Sequence, residues 1–448
     1  MLWLIIKKEY LLNLISLRFV IAFLLATSLT VLSAFILIDD YKTRLKEYSQ
    51  RTTSHFEQLA SGYSYADLLD DEVAVDKEPG RLSVFVQGVE HNINPVVKFR
   101  NGEYPVLSES VSENPLFSLF RKIDFLFVVQ YIMSLMALFF AYDNISGEKE
   151  AGTFRLVFSY PVPRDTIILG KVIGGFSCLI TPLAVAFLAS LTLVAVKGVG
   201  FSAEDYLRAG AILLASVLFL LCLYMLGIMI SAATRSAVTS LFVLLFVWTI
   251  LVFNIPPLSH LAAKQFFRAP EYSSVLSSVV SVRQDIQKGF MGRSVQVGMA
   301  NDAAPSLDTI YSIYRDEKQE GDAKIRRVLE QHEAYLRAQI EGARRLSRIS
   351  PVAAFANSAM QIGNTGLEEQ YDFIGSVRRY QRDLFDFINR IEKQNTPINV
   401  ANLPRYTYRR PAMGSSLTGA AVDLGVLALF TAGFFIAAYY LFLKYDIR

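Results

Sequence analysis

The stretch from Glu148 to Lys171 holds the residue types best suited to work at a membrane face: Glu148-Lys-Glu150-Ala-Gly152-Thr153-Phe154-Arg155, then Pro161-Val-Pro-Arg164, then Gly170-Lys171. Glu148, Glu150 and Arg155 offer charge to orient a soluble partner, while Phe154, Leu156 and Phe158 offer apolar side chains to fill its cleft. Gly152 permits a tight reversal before Thr153, which stands where a helix cap would. Pro161 and Pro163 end that short helix, and Arg164-Asp165 begin the next. Such a segment transmits contact rather than making bonds. Gly170-Lys171 is not the end of a phosphate loop, because Val172 follows it and position 165 is Asp rather than Gly. The backbone cradle and the magnesium-binding hydroxyl are both missing, so the chain is not expected to hydrolyse ATP. On residue types alone, an ordinary interfacial loop fits this stretch at least as well.

Other chemistry is sparse. His55, His91, His260 and His332 have no ligand spacing with one another or with Cys178 and Cys222, so no metal site is expected. No His-Glu-x-x-His and no nucleophile elbow occurs, and no catalytic residue is assigned. Asp124 and Asp423 lie in otherwise uncharged apolar runs, where a carboxylate marks either a helix cap near water or a substrate or proton path. Their places near the start of each run favour the cap.

The elements that must position these residues belong to two solvents. Of 448 residues, 52% are hydrophobic and 19% charged, against about 25% charged in soluble domains. The deficit is local: residues 19–38, 123–142, 172–196, 209–231, 238–255 and 421–443 hold only those two aspartates as charges. Each run is near or above the roughly 20 residues that cross a bilayer as a helix. Only a helix satisfies its own backbone there without closing into a barrel. A soluble enzyme, a disordered chain and a disulfide scaffold are excluded, and a net charge of +3 gives no argument for a nucleic-acid partner. The first run lacks a clean cleavage pattern and is expected to remain as an anchor.

Lys7, Lys8 and Arg18, then Lys149, Arg155, Arg164 and Lys171, then Arg235, and finally Lys444 and Arg448 fall on one side of the six runs. Positive charge in short connections marks the cytoplasmic side. Both termini are therefore expected inside, with residues 39–122 and 256–420 outside. Residues 40–60 read as a charged helix. Leu82, Val84 and Val86 alternate with Ser83, Phe85 and Gln87 as a strand would, and Val96–Phe99 precedes the turn-like Asn101-Gly102. In the larger loop, Ile325 to Leu346 and Leu367 to Ile391 follow helical spacing, predicting two long amphipathic helices. Ser350 to Phe355 reads as an apolar piece resting on the outer leaflet, and Tyr406 to Pro411 as an interfacial anchor. Gly170 and Gly174, like Gly227 and Ser231, have the small-x-x-x-small spacing of closely packed helices, a feature of dimer seams among others.

The run Glu150-x-Gly152-Thr153, Pro161-Val-Pro-Arg164 and Gly170-Lys171 resembles the coupling segment after the second span of type-2 ATP-binding-cassette exporter permeases. The leader resembles that family's interfacial elbow helix. Leu82 to Gly88, and Ser350-Pro351-Val-Ala-Ala with Gly366 and Arg378-Arg379-Tyr380, resemble a subgroup with two enlarged outer loops, related to maturation-type permeases for copper enzymes. The resemblance implies an α-helical polytopic membrane protein of six transmembrane helices. Its parts are an elbow helix (1–18), a first span (19–38), an α+β extracytoplasmic domain (39–122), a second span (123–142), a cytoplasmic coupling segment (143–171), the third to fifth spans (172–255), an extracytoplasmic helical domain with a hairpin (256–420), and a sixth span with its tail (421–448).

It further implies a bacterial inner-membrane exporter subunit that binds no cofactor itself. ATP and Mg sit on separate cytoplasmic phosphate-loop ATPase subunits, and a second copy or a sister permease completes the pair. Membrane lipid and an extracytoplasmic protein are its other expected partners. From the residues themselves, a non-transporting sensor or assembly scaffold stays open. An ion-coupled transporter would need charge at mid-membrane, which the spans lack.

Overall fold

The computed structural model describes residues 1–60, 72–90, 95–100, 105–107, 123–153, 163–268, 270–300, 306–393 and 402–444. A short helix α1 (Leu2–Leu14) precedes the 44-residue α2 (Leu17–Ala60). The first apolar run and the charged helix expected after it are one continuous rod. Helix α3 joins Phe125–Phe127, a π-helical stretch Val128–Met133, and Ser134–Ala141; one turn later comes α4 (Ser146–Glu150). Then follow α5 (Arg164–Val196), α6 (Ala203–Ala233) and α7 (Ala237–Phe266), the last with a π-helical stretch at Ile250–Asn254. Helices α8 (Tyr272–Ala300), α9 (Leu307–Ser347), α10 (Pro351–Ile362), α11 (Leu367–Lys393) and α12 (Met413–Leu443) complete the helical part. Six helices, α2, α3 with α4, α5, α6, α7 and α12, are long and apolar enough to span a membrane.

Helix α6 is the centre of the bundle. It buries a face from Ala209 to Ala232 against α3, α10 and α12, while α5 lies along α1 and α2. Close approach depends on small residues. A Cβ on Gly227 would stand 2.4 Å from Ala141 Cβ, so α3 and α6 meet where the sequence has Gly and Ala. Pro182 lies inside α5, which continues past it to Val196.

On the face opposite the termini, strands β1 (Val73–Asp76), β2 (Val96–Phe99) and β3 (Val106–Leu107) form an antiparallel sheet in that order, with Val73 opposite Phe99 and Val97 opposite Leu107. Helix α11 covers it: Val73, Val75, Val97 and Phe99 share a core with Phe373, Val377, Leu384, Phe385 and Ile388. The two long loops on this face thus fold together. The hairpin of the second loop is made by α8 and α9, where Arg293 pairs with Glu317 at 2.8 Å and Gly321 leaves room for Ile286. Helix α8 was not legible in advance, because its serine-rich surface carries little helical periodicity.

Three expectations about the outer loops need correction. Residues 81–84 form a 3-10 turn, not a strand, and Leu82 to Val86 are all buried, so side-chain alternation carries no meaning there. Phe85 instead plugs the bundle, 5.4 Å from the Phe187 ring and 6.3 Å from that of Phe125. Ser350 to Phe355 opens α10, which is buried in protein rather than resting on a leaflet; Phe355 stacks on Phe219 of α6 at 4.6 Å. Tyr406 to Arg410 straps the sheet domain instead of anchoring at an interface, with the Tyr406 and Tyr408 rings against Phe373. The Asn101-Gly102 turn lies outside the described residues.

Candidate functional site

The termini-side end of α3 runs into Tyr142 to Glu150, and the polar groups of this short piece are bound directly by four other helices and, through Lys171, by a fifth, α1. Arg18 of α2 grips Asp143 with both guanidinium nitrogens, at 3.0 and 2.8 Å, and donates to Tyr142 Oη at 2.9 Å. Lys171 of α5 is buried and sends its ammonium to Glu148 Oε1 at 2.8 Å, Glu9 Oε1 of α1 at 3.3 Å and the Asn144 carbonyl at 3.3 Å. Helix α6 contributes Tyr224, whose hydroxyl accepts from Asn144 Nδ2 at 2.9 Å, and Ser231, whose Oγ accepts from the amides of Ile145 and Ser146 at 3.1 and 3.0 Å.

Two ends of neighbouring helices are tied in as well. Lys149 Nζ donates to the carbonyls of Ala232 and, at 3.1 Å, Thr234, so a cation sits on the C-terminal end of α6. Glu150 Oε2 accepts from the Ala237 amide at 2.8 Å, placing an anion at the N-terminal start of α7. Both placements complement the helix dipoles. A polar cavity of about 580 Å³ lies beside the network and is lined in part by Glu9, Arg18, Asp143, Glu148 and Lys171.

The chain leaves this knot at an exposed tip, Ala151-Gly152-Thr153. Gly152 has φ +68, which suits glycine, and open space lies around it. Thr153 Oγ1 donates to the Glu148 carbonyl at 3.4 Å. Phe154, Arg155, Leu156, Phe158 and Pro161 lie outside the described residues. The next helix begins at Arg164 behind Pro163, and Arg164 donates to the Leu443 carbonyl of α12 at 2.8 Å.

The fold gives several of these side chains partners within the chain. Glu148, Glu150 and Lys171 bond inside the chain, and Ala151 to Thr153, at the end of the described stretch, are exposed. Gly170 and Gly174 receive α1 and not a second chain: a Cβ on Gly170 would meet Ile5 Cγ2 at 2.6 Å, and one on Gly174 the Ile6 carbonyl oxygen at 2.8 Å. Sequence reasoning passed over Glu9, Asn144 and Tyr224, and read Ser231 only as a small packing residue. Glu9 had a signal, being the one acid in the apolar leader.

At the opposite end of the bundle, Asp124 is buried and caps α3, accepting from the Phe127 amide at 2.7 Å and from the Gln87 amide at 2.9 Å. Asp423 is not a cap, because α12 starts at Met413, about three turns before it. It is fully buried between Arg344, at 2.8 Å, and Arg348, at 2.7 Å, both at the base of the α8–α9 hairpin. Arg208 of α6 makes a second clamp at this end, donating to the carbonyls of Ile362 at 2.9 Å and Pro411 at 2.6 Å and to Ser416 Oγ at 3.0 Å. Among the described residues, no group of three or more His, Cys, Asp or Glu is placed to hold a metal ion.

Comparison with known proteins adds to this geometry. A family model described as "ABC-2 family transporter protein" matches residues 3–447. The chain is 42% identical over 69 residues to a probable ABC transporter permease protein NosY of Stutzerimonas stutzeri, covering 13% of this chain and 24% of that protein. It is 48% identical over 44 residues to the protein of the same name from Pseudomonas aeruginosa, covering 10% of this chain and 16% of that one. The chain thus matches a quarter or less of the length of these relatives.

Proposed function

The chain belongs to the ABC-2 transporter family, and from that premise we propose that it is a permease subunit whose Glu148–Lys171 segment couples ATP hydrolysis on a separate protein to movement of the spans. The observation that carries this reading is the wiring of Tyr142 to Glu150. Arg18, Lys171, Tyr224 with Ser231, and the cap on Ala237 bind one short piece directly to α2, α5, α6 and α7, and Lys171 passes the link on to Glu9 of α1. A push on a loosely held loop is lost in that loop. A push on Ala151 to Thr153 is delivered to four helices at once, and through Lys171 to a fifth.

In this reading both termini and the tip are cytoplasmic, in a bacterial inner membrane, and the sheet domain and hairpin lie outside. Closure of phosphate-loop ATPase subunits on ATP and Mg would favour one state of the permease by contacting the tip differently in its two states. The clamps at Arg208 and Asp423 would carry the motion to the outer domain, toward export or mechanical work on an outer protein. A second permease copy or a sister permease completes the assembly. In the relatives' printed name, "ABC transporter permease" agrees with this role.

Co-purification tests the reading. The tagged full-length chain, expressed with its neighbouring genes and extracted in mild detergent, should bring a phosphate-loop ATPase with it. Recovery of the chain without any ATPase contradicts the proposal and favours a sensor or scaffold.

A further inference from the structure

A groove runs between α5 and α12 with α6 as its floor. Its volume is about 560 Å³, and Ile173, Phe176, Leu221, Met225, Ala432 and Phe435 are among the residues that line it. Its two hydroxyls are already used by their own helices: Ser177 donates to the Ile173 carbonyl at 2.6 Å and Thr431 to the Leu427 carbonyl at 2.8 Å. The surface left is hydrocarbon. Ile173, Ala428 and Ala432 are exposed along the mouth, which opens sideways from the bundle. At the termini-side end α5 and α12 are pinned together, Tyr439 Oη donating to Asp165 at 2.7 Å and Arg164 to the Leu443 carbonyl at 2.8 Å.

We propose that this groove holds one acyl chain of an anionic phospholipid from the leaflet on the termini side. Depth fits that occupant. Ile173 and Phe435 stand roughly 12–14 Å along their helices from Arg164 and Leu443, and Ser177 and Ala428 roughly 20–22 Å, at 1.5 Å per residue. That is the span from the upper acyl chain toward the middle of a bilayer whose hydrocarbon is about 30 Å thick. Charge fits as well: the exposed Lys444 continues α12 to the level of a headgroup, with Arg164 beside it, and a basic residue there attracts anionic lipid. A void of this size, left empty, would forfeit the contacts of its lining, and an apolar void does not hold water.

The test uses full-length protein with Trp3 and Trp248 replaced by Phe and a single reporter, Phe435→Trp, or Phe176→Trp should the first fail to fold. Phosphatidylglycerol with brominated acyl chains is titrated into detergent micelles. Saturable quenching is expected; Lys444→Gln should raise the half-saturating concentration about fivefold, and Ala428→Phe with Ala432→Phe should remove the saturable part. Quenching that rises in proportion to brominated lipid without saturating, or that is the same in both variants, overturns the proposal. So does disulfide cross-linking between two copies through Ser177→Cys, which would make a second copy the occupant.

Discussion

Lys171 Nζ lies 2.8 Å from Glu148 Oε1, across the joint between α5 and the piece that follows α3. Glu9 Oε1 stands at 3.3 Å on the other side of the same ammonium. One cation thus serves two carboxylates from two other helices, and it is buried while doing so.

Removing that cation should cost more than removing the whole cluster. Lys171→Met leaves two carboxylates facing each other in a confined site, and breaking a buried pair by deleting one partner costs about 3–5 kcal/mol. Glu9→Gln and Glu148→Gln added to Lys171→Met should restore most of that loss, because neutral amides need no counter-ion. Thermal unfolding in detergent reads both. Equal stability of wild type and Lys171→Met would mean that the network does not hold the joint.

Glycines at helix contacts and in open space should respond with opposite signs. A side chain at Gly174 meets the Ile6 carbonyl oxygen, which is backbone and cannot swing away, so Gly174→Val should destabilise by about 1–3 kcal/mol. Gly210 on α6 has nothing within 4 Å, and Gly210→Ala should stabilise by up to about 1 kcal/mol through helix propensity. The same unfolding measurement compares them. A neutral Gly174→Val would show that α1 is not seated on α5.

The base of the outer hairpin depends on Asp423. With Asp423→Asn, Arg344 and Arg348 lose their shared anion, though Arg344 keeps Glu368. Hydrogen exchange should quicken at residues 344–350 and 416–423 and stay unchanged in α1. Unaltered exchange at the hairpin base would show that the two arginines do not clamp it.

A pH effect should arise in the sheet domain at Glu369, which is buried 3.8 Å from Lys77 and 3.3 Å from Arg410. Burial raises its pKa above the ordinary 4.5, against the pull of both cations, with Glu90 adding to the rise; burial also lowers the pKa of Lys77. A carboxyl whose folded pKa is raised contributes stability fully below the unfolded value and loses it as pH climbs through the folded value. Wild-type stability should therefore carry a component that falls from pH 4.5 upward, and Glu369→Gln should lack it. Lys77 has the opposite sign at higher pH: its contribution is complete above its ordinary 10.5 and is lost as pH falls toward the lowered value. Identical acid-range slopes for wild type and variant would contradict the assignment.

The spans and the two amphipathic outer helices were legible because burial in lipid or on one face leaves a one-dimensional trace. Residues 172–196 carry no charge, and Leu367 to Ile391 repeat at helical spacing. Where both faces are buried the trace vanishes. Leu82 to Val86 alternated like a strand yet form a 3-10 turn wedged over the bundle. At the candidate site the charged residues could be found but not their partners. Lys171 reads as the end of the Gly170-Lys171 motif and a cation on the termini side, and only the fold brings Glu9, 162 positions away, within its reach. Asp423 looked like a helix cap because α12 begins earlier than its apolar run, and Arg344 and Arg348 lie in a different loop.

The coupling role of the tip is tested most directly by cross-linking at Thr153, an exposed residue at the end of the described segment. In membranes containing the neighbouring ATPase, Thr153→Cys should form a cross-link to that ATPase with a short bifunctional thiol-to-amine reagent, and the yield should change when ATP and Mg are added. Thr153→Cys that forms no such cross-link, while reacting with an impermeant thiol reagent from outside intact cells, would place the tip on the wrong side of the membrane and contradict the account.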